Sequence, residues 1–139
     1  MTPDRLAELH RRCFRVPRAF TAAEFAGFLA APACFLTTAP AGFALGRIAA
    51  DEAELLTLAV DPDLRRHGIG RRLLDDFHTR ATKLGARQVF LEVAADNIAA
   101  RSLYQQSGYC ESGRRPGYYA VPDAPRIDAI LMNRPLATA

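Results

Sequence analysis

The sequence predicts one α/β domain built on a mixed, mostly antiparallel sheet with a central parallel pair flanked by helices. Three observations carry that expectation. Segments with helical periodicity alternate with short β-branched or leucine-rich runs along the whole chain. Between Glu54 and Val93 the order is strand, glycine corner, helix, apolar strand, a crossover long enough to join parallel neighbours with right-handed connection. Half of the 139 residues are apolar, enough for one core and too many for a disordered chain.

Pro3 to Phe14 reads as a first helix. Leu6, Leu9, His10 and Cys13 recur at helical spacing, and Pro17 stops the pattern. Thr21-Ala22-Ala23-Glu24 has the form of a capping box and opens a second helix to about Ala31, with Phe25, Phe28 and Leu29 as its apolar stripe. Cys34 to Thr38 and Phe43 to Ala50 are strands joined through Pro40-Ala41-Gly42, and after the turn at Asp51-Glu52 the run Glu54 to Val60 completes an antiparallel meander. A turn at Asp61-Pro62-Asp63 leads to a helix from about Ile69 to Leu84. Leu73, Leu74, Phe77, Ala81 and Leu84 lie on one face, and Gly85 is its cap. Gln88 to Val93 is almost wholly apolar, as in a central strand covered on both faces. After the loop Ala94 to Asn97, Ile98 to Ser107 is a helix closed by Gly108. Cys110 to Gly113 begins a strand, Pro116 to Pro125 is a loop rich in proline and tyrosine, and Ile127 to Met132 is the last strand. No linker interrupts this order, so residues 1–139 are expected to form one domain.

The charge balance excludes some classes of function. Eighteen basic against fifteen acidic residues leave a formal charge of +3, too little for a general nucleic-acid binder. The basic residues cluster instead. Arg65, Arg66, His67, Arg71 and Arg72 crowd one corner, and Arg114 with Arg115 forms a smaller patch, a distribution that suits a phosphorylated small molecule. Cys13, Cys34 and Cys110 are odd in number and have no CxxC spacing, which argues against a disulfide framework or a metal site and for a reducing cytoplasm. The charged N-terminus lacks the apolar region of a signal peptide, and no apolar run reaches the length of a membrane span.

The strongest chemical signal is the stretch Leu55 to Leu74. A leucine-rich strand ends in Leu58-Ala59-Val60, and Arg65-Arg66-His67-Gly68-Ile69-Gly70 turns directly into a helix that Arg71 opens. A helix N-terminus offers free N–H groups and positive dipole, and two glycines let an anion approach the backbone. The corner has neither the GxxxxGK[ST] of a Walker loop nor the GxGxxG of a dinucleotide fold. Its other reading is a solvated turn with surface arginines. Glu92 stands in the apolar run Val89-Phe90-Leu91-Glu92-Val93, near the end of a strand where α/β sheets bind ligands. Desolvation there is expected to raise its pKa and suit it to general-base work. The residues alone equally allow a carboxylate that points to solvent or pairs with an arginine. Tyr104, twelve positions further on, is a candidate general acid beside a phosphate or thiol ligand, or an aromatic on a buried helix face. His67 reads as a solvent-side member of the corner, Cys110 as a small core residue, and Tyr118-Tyr119 as a binding surface or a packing pair.

Leu58-Ala59-Val60-Asp61-Pro62, the corner from Arg65 to Gly70, Leu91-Glu92-Val93, Asn97, and Leu103-Tyr104 with Ser107-Gly108-Tyr109 together resemble the GCN5-related N-acetyltransferases (GNAT) over roughly Glu54 to Met132. Arg114-Arg115, Tyr118-Tyr119 and Asp128-Ala129-Ile130 add a resemblance to the ribosomal-protein-alanine N-acetyltransferases of the RimI type. The resemblance implies the GNAT fold and acetyl-CoA as donor, with no metal. It implies that the backbone of Leu58, Ala59 and Val60 meets the acetyl and pantetheine groups. It implies that Arg65, Arg66, His67, Gly68, Ile69, Gly70 and Arg71 cradle the pyrophosphate and that Asn97 bonds the cofactor. Glu92 would then deprotonate the acceptor amine and Tyr104 would protonate the departing thiolate. The implied acceptor is the N-terminal alanine of a ribosomal protein. The alternatives are a small amine such as a polyamine, amino acid or antibiotic, or a silent CoA-binding module. Neither nucleic acid nor membrane is an implied partner, and a monomer, or a weak homodimer through an exposed last strand, is expected. Two features depart from the family. Met1 is followed almost at once by helix, so the strand that usually precedes the first helix is not expected in this sequence, and residues 14–20 lack the tryptophan-containing segment of RimI-type enzymes.

Overall fold

The first two helices follow from their caps. Thr2 Oγ1 accepts the Arg5 N–H at 3.2 Å and Pro3 sits in the first turn of α1 (Pro3–Cys13). In α2 (Ala22–Ala30) both halves of the capping box form, each at 3.1 Å between Thr21 and Glu24. In this computed structural model, which describes residues 1–65 and 67–136, the strands are β1 (Cys34–Ala39), β2 (Gly42–Ala49), β3 (Glu52–Val60), β4 (Gln88–Ala94), β5 (Cys110–Tyr119) and β6 (Ile127–Pro135). A 3₁₀ turn at Pro62–Leu64, the helix α3 (Ile69–Lys83) and the helix α4 (Ile98–Gln106) complete the chain. One sheet runs β1-β2-β3-β4-β6-β5, antiparallel except for the β3–β4 pair.

The parallel pair is short. It is formed only by Glu52 with Gln88, Ala53 with Val89 and Glu54 with Phe90. Beyond Glu54 the two strands part, and residues 55–60 have no partner on the β4 side. The cause lies on the other edge of β3. Leu45 pairs with Thr57 but Gly46 pairs with Leu55, so Leu56 is an extra residue, a β-bulge that bends the strand. The bulge also resets which side chains face which layer. Leu55 lies in the core under α3 and α4, Leu56 packs against the α1–α2 core, and Leu58 returns to the α3–α4 side. Thr57 joins Leu56 on the α1 side, where its Oγ1 lies 2.8 Å from His10 Nε2.

Two cores hold the layers. Phe35, Leu55, Leu74, Phe77, Val89, Leu91 and Ile130 build the one beneath α3 and α4, while Leu6, Phe25, Phe43, Leu45 and Ala59 build the one beneath α1 and α2. The second core covers β1 to β3 and stops short of β4. This corrects the expectation for β4. Val89, Leu91 and Val93 are buried, but Glu92 is exposed on the uncovered face. Leu84 and Leu29, expected on apolar stripes, are exposed at the helix ends. The expected loop from Pro116 is a second correction, since β5 continues to Tyr119 because β6 pairs along it and a bulge absorbs the proline and glycine. Cys110 is exposed because β5 is an edge strand. The last strand, β6, is interior, so it offers no free edge for pairing; β1 and β5 are the edges.

Two buried histidines tie the layers together. The Phe20 N–H donates to His10 Nδ1 at 2.8 Å, so the proton sits on Nε2 and is donated to Thr57. Arg134 donates to His78 Nδ1 at 2.6 Å, and His78 Nε2 meets the Tyr109 hydroxyl at 2.6 Å. Burial pushes each ring down from 6.5 to about 4. Both rings are neutral in the folded protein and take up a proton more readily once unfolded. Stability is therefore whole above about pH 6.5 and falls as pH drops through the window to 4, by on the order of 3 kcal/mol per ring over the full window. The Glu24 carboxylate, held at about 2 by Arg18 and the Thr21 N–H, stays ionised there and does not mask the effect. Urea unfolding at a series of pH values from 7 to 4.5 is expected to show the decline.

Candidate active site

The glycine corner is open at the point where a ligand would enter. Gly68 is the N-cap of α3, with φ +74°, and a Cβ built on it meets nothing within 4 Å. No side chain caps α3 and no acidic residue lies in its first turn. The first intrahelical bond runs from the Arg72 N–H to the Gly68 carbonyl, so the N–H groups of Ile69, Gly70 and Arg71 have no partner inside the helix. The positive end of the helix thus has neither a side-chain cap nor an acidic residue in its first turn to offset it. A Cβ on Gly70 would lie 3.1 Å from Leu103 Cδ2, 3.8 Å from Val60 Cγ2 and 4.0 Å from Leu58 Cδ2. That close approach sets α4, the start of α3 and the end of β3 against one another. Leu58 and Val60 therefore meet the corner, whereas the Ala59 side chain is buried in the opposite core. Arg65 and His67 are exposed; Arg66 lies outside the described residues. Among the described residues, Arg71 has only a loose ion pair with Asp75 at 4.0 Å.

The turn before the corner is tied to α1. Arg12 reaches both Asp61 and Asp63 at 3.1 Å, and the Cys13 thiol donates to the Val60 carbonyl at 3.2 Å. Burial pushes that thiol up, with Arg65 opposing.

Glu92 differs from its expectation. It is not desolvated among apolar side chains. Its Oε1 lies 3.0 Å from Arg115 Nε, an ion pair on the uncovered face of β4. The Arg115 guanidinium in turn lies over the Tyr118 ring at 5.4 Å, and Tyr118 meets Tyr119 edge-on at 5.1 Å. Burial, with the Glu92 charge adding to it, pushes the Tyr119 phenol up to about 12. Arg114 and Arg115 are therefore not a free anion patch, since Arg114 is held by Asp128 at 3.0 Å.

Tyr104 is buried, with its ring 5.6 Å from that of Tyr109, and burial pushes its phenol well above the usual range. Asn97 is the N-cap of α4. Its Oδ1 accepts the Ala100 N–H at 3.2 Å, which leaves the amide N–H₂ as its remaining donor. Two residues not singled out for a role in the sequence, Arg126 and Asp128, hold the β5 bulge beside Arg115. The local signals near them are Pro116-Gly117, which marks the bulge they clamp, and the run Asp128-Ala129-Ile130.

The family model for the acetyltransferase (GNAT) family matches residues 3–109 of this chain. The chain belongs to the GNAT family. The [ribosomal protein bS18]-alanine N-acetyltransferase of Escherichia coli is 42% identical over 97 residues, which are 70% of this chain and 65% of that enzyme. Less than two thirds of that relative's length is therefore matched. The crystal structure of the ribosomal-protein-S18-alanine N-acetyltransferase from Escherichia coli superposes with a TM-score of 0.83 at 33% identity, covering 96% of this chain and 86% of that one. Arabidopsis thaliana NAA60 in complex with a bisubstrate analogue has a TM-score of 0.81 at 20% identity, over 99% of this chain and 94% of that one, and shares the fold. The mixed sheet with one parallel pair is that family's fold.

Both partners of the Glu92–Arg115 pair are open to solvent, so the pair is expected to contribute little to folding. Arg115→Ala should change the free energy of unfolding by less than about 1 kcal/mol in a urea titration. A larger loss would assign the pair to the fold rather than to the site.

Proposed function

We propose that this chain is an N-acetyltransferase that moves the acetyl group of acetyl-CoA to a primary amine, the N-terminal alanine of a ribosomal protein being the acceptor. The observation that carries the reading is the parting of β3 from β4 beyond Glu54, in front of an uncapped helix N-terminus. The residues fit the cofactor. A Cβ at Gly68 would project into open space, and residues 55–60 present a strand edge without a partner on the β4 side. The similarity to the bS18-alanine enzyme supports the choice of acceptor.

Acetyl-CoA supplies a thioester whose acyl carbon is open to attack and whose thiolate can leave. The N–H groups of Gly68, Ile69, Gly70 and Arg71 hold phosphate oxygens, with the exposed Arg65 adding positive charge beside them. The free edge of Leu58, Ala59 and Val60 holds the pantetheine arm and polarises the thioester carbonyl through an N–H. The Asn97 amide donates to the cofactor. Glu92 takes the proton of the acceptor amine, through water, as the new C–N bond forms. Tyr104, whose buried phenol keeps its proton at neutral pH, gives that proton to the sulfur as the C–S bond breaks. The protein works in the cytoplasm, where its cysteines, free in the structure, stay reduced. No helix among the described residues is long and apolar enough to cross a membrane.

Acetyl-CoA at a hundredfold excess over its Kd should stabilise the protein by about 2.7 kcal/mol and raise its Tm accordingly. Absence of any shift at millimolar ligand would remove the reading. Glu92→Gln is expected to lower kcat by about 10²–10⁴ with the acetyl-CoA shift intact, and Tyr104→Phe to slow thiol release within the same range. Thiol release measured across peptides with N-terminal alanine, lysine peptides and small amines identifies the acceptor. Turnover confined to small amines would replace the protein acceptor.

A further inference from the structure

The end of the site where an acceptor would arrive is built on an irregular piece of backbone. Arg115 pairs with Ala129 and Tyr119 with Ile127, so three residues of β5, Pro116, Gly117 and Tyr118, stand opposite Asp128 alone. A bulge of that size does not hold itself, because its backbone groups have lost their ladder partners. Gly117 has φ +57°, a conformation that suits glycine. Its N–H donates to Asp128 Oδ1 at 2.7 Å, and Asp128 Oδ2 accepts from Arg114 Nη1 at 3.0 Å. The Asp128 carbonyl accepts the Ala95 N–H at 2.9 Å, just past the end of β4. On the exposed side, Arg126 donates through Nε to the Gly117 carbonyl and through Nη2 to the Tyr118 carbonyl at 3.3 Å. One carboxylate and one guanidinium therefore clamp the bulge from its two sides.

The clamp decides where its neighbours stand. Arg115 immediately precedes the bulge and reaches Glu92, while Tyr118 inside it carries the ring beneath the Arg115 guanidinium. Asp128 does not itself face Glu92. Alternation along β6 puts it on the side of Ile130 and Met132, in the layer under α3 and α4, whereas Glu92 is on the uncovered side.

We infer that Asp128 is a positioning residue for the acceptor: with Arg126 it fixes the β5 bulge, and through the bulge it sets Arg115 and Tyr118 against Glu92 where the acceptor amine is received. The inference rests on Glu92 being the base of the proposed reaction. It assigns acceptor affinity, and not cofactor affinity, to a residue that touches neither ligand. Both strands beside Asp128 are paired on either side of the bulge, so loss of the clamp frees the bulge and leaves the sheet in place.

Steady-state thiol release with a peptide bearing N-terminal alanine tests this. Asp128→Ala is expected to raise the acceptor KM by about tenfold or more, since misplacement of a binding group by an ångström is costly. The KM for acetyl-CoA and its thermal shift should stay within about twofold of wild type. Asp128→Asn retains an oxygen for the Gly117 N–H and is expected to recover part of the loss. A merely structural role would reduce the active fraction without moving the acceptor KM. If Asp128→Ala does not fold, Arg126→Ala opens the same clamp from an exposed residue and carries the same expectation. A wild-type acceptor KM in the folded variant, or an equal rise in both KM values, overturns the inference. Glu92→Gln run in parallel separates the two readings. Full activity there removes the base, whereas an inactive Glu92→Gln beside an Asp128→Ala of wild-type KM removes only the clamp.

Discussion

One extra residue in β3 governs the shape of this molecule. The bulge at Leu56 bends the strand away from β4 after three paired positions and leaves an open edge where a sheet would otherwise be closed. A backbone edge with unmet hydrogen-bonding groups is unfavourable if buried without a partner. Its persistence beside an uncapped helix makes sense if both are completed by a ligand. The bulge is held from below, where the Thr57 it turns toward α1 meets a neutral, buried His10. Helix α1 therefore supports the site from a layer it does not belong to, and Arg12 and Cys13 extend that support to the turn that follows.

The two ends of the site are organised by different physics. The corner end relies on free N–H groups, glycines and diffuse positive charge, which suit an anion of variable shape. The Glu92 end is a set of mutually engaged charged and aromatic side chains at the edge of solvent, in which Arg115 joins Glu92 to Tyr118. Such exposed pairs add little stability, and their geometry must be imposed by the backbone that carries them. That backbone is the second bulge of the sheet, in β5, which the carboxylate of Asp128 and the guanidinium of Arg126 keep in place. Both ends of the site thus lie at interruptions of regular pairing.

Much of this was legible in the sequence wherever the information is local. The capping box at Thr21–Glu24, the corner from Arg65 to Gly70, and the period of α3 and α4 each depend on neighbours a few residues apart, and each appears near its expected position. The resemblance across Glu54 to Met132 named the family for the same reason, since it rests on ordered short motifs. Errors arose where the deciding partner is remote. Pro116 and Gly117 read as loop because the strand that pairs around them comes later in the chain. Leu84 and Cys110 read as core because apolar character is local, while exposure depends on which layer stops above them.

Glu92 marks the boundary between the two kinds of information. By itself the sequence determined that a carboxylate stands in an apolar strand that follows a basic, glycine-containing corner and its helix, because alternation and turn chemistry are written in consecutive residues. Only the tertiary structure decided what surrounds it. The α1–α2 layer ends over β3, so the carboxylate is open to water, and Arg115 arrives from a strand more than twenty residues further along the chain. Burial and ion pairing are properties of the space between layers, and that space is set by how the sheet bends at Leu56 and at Gly117.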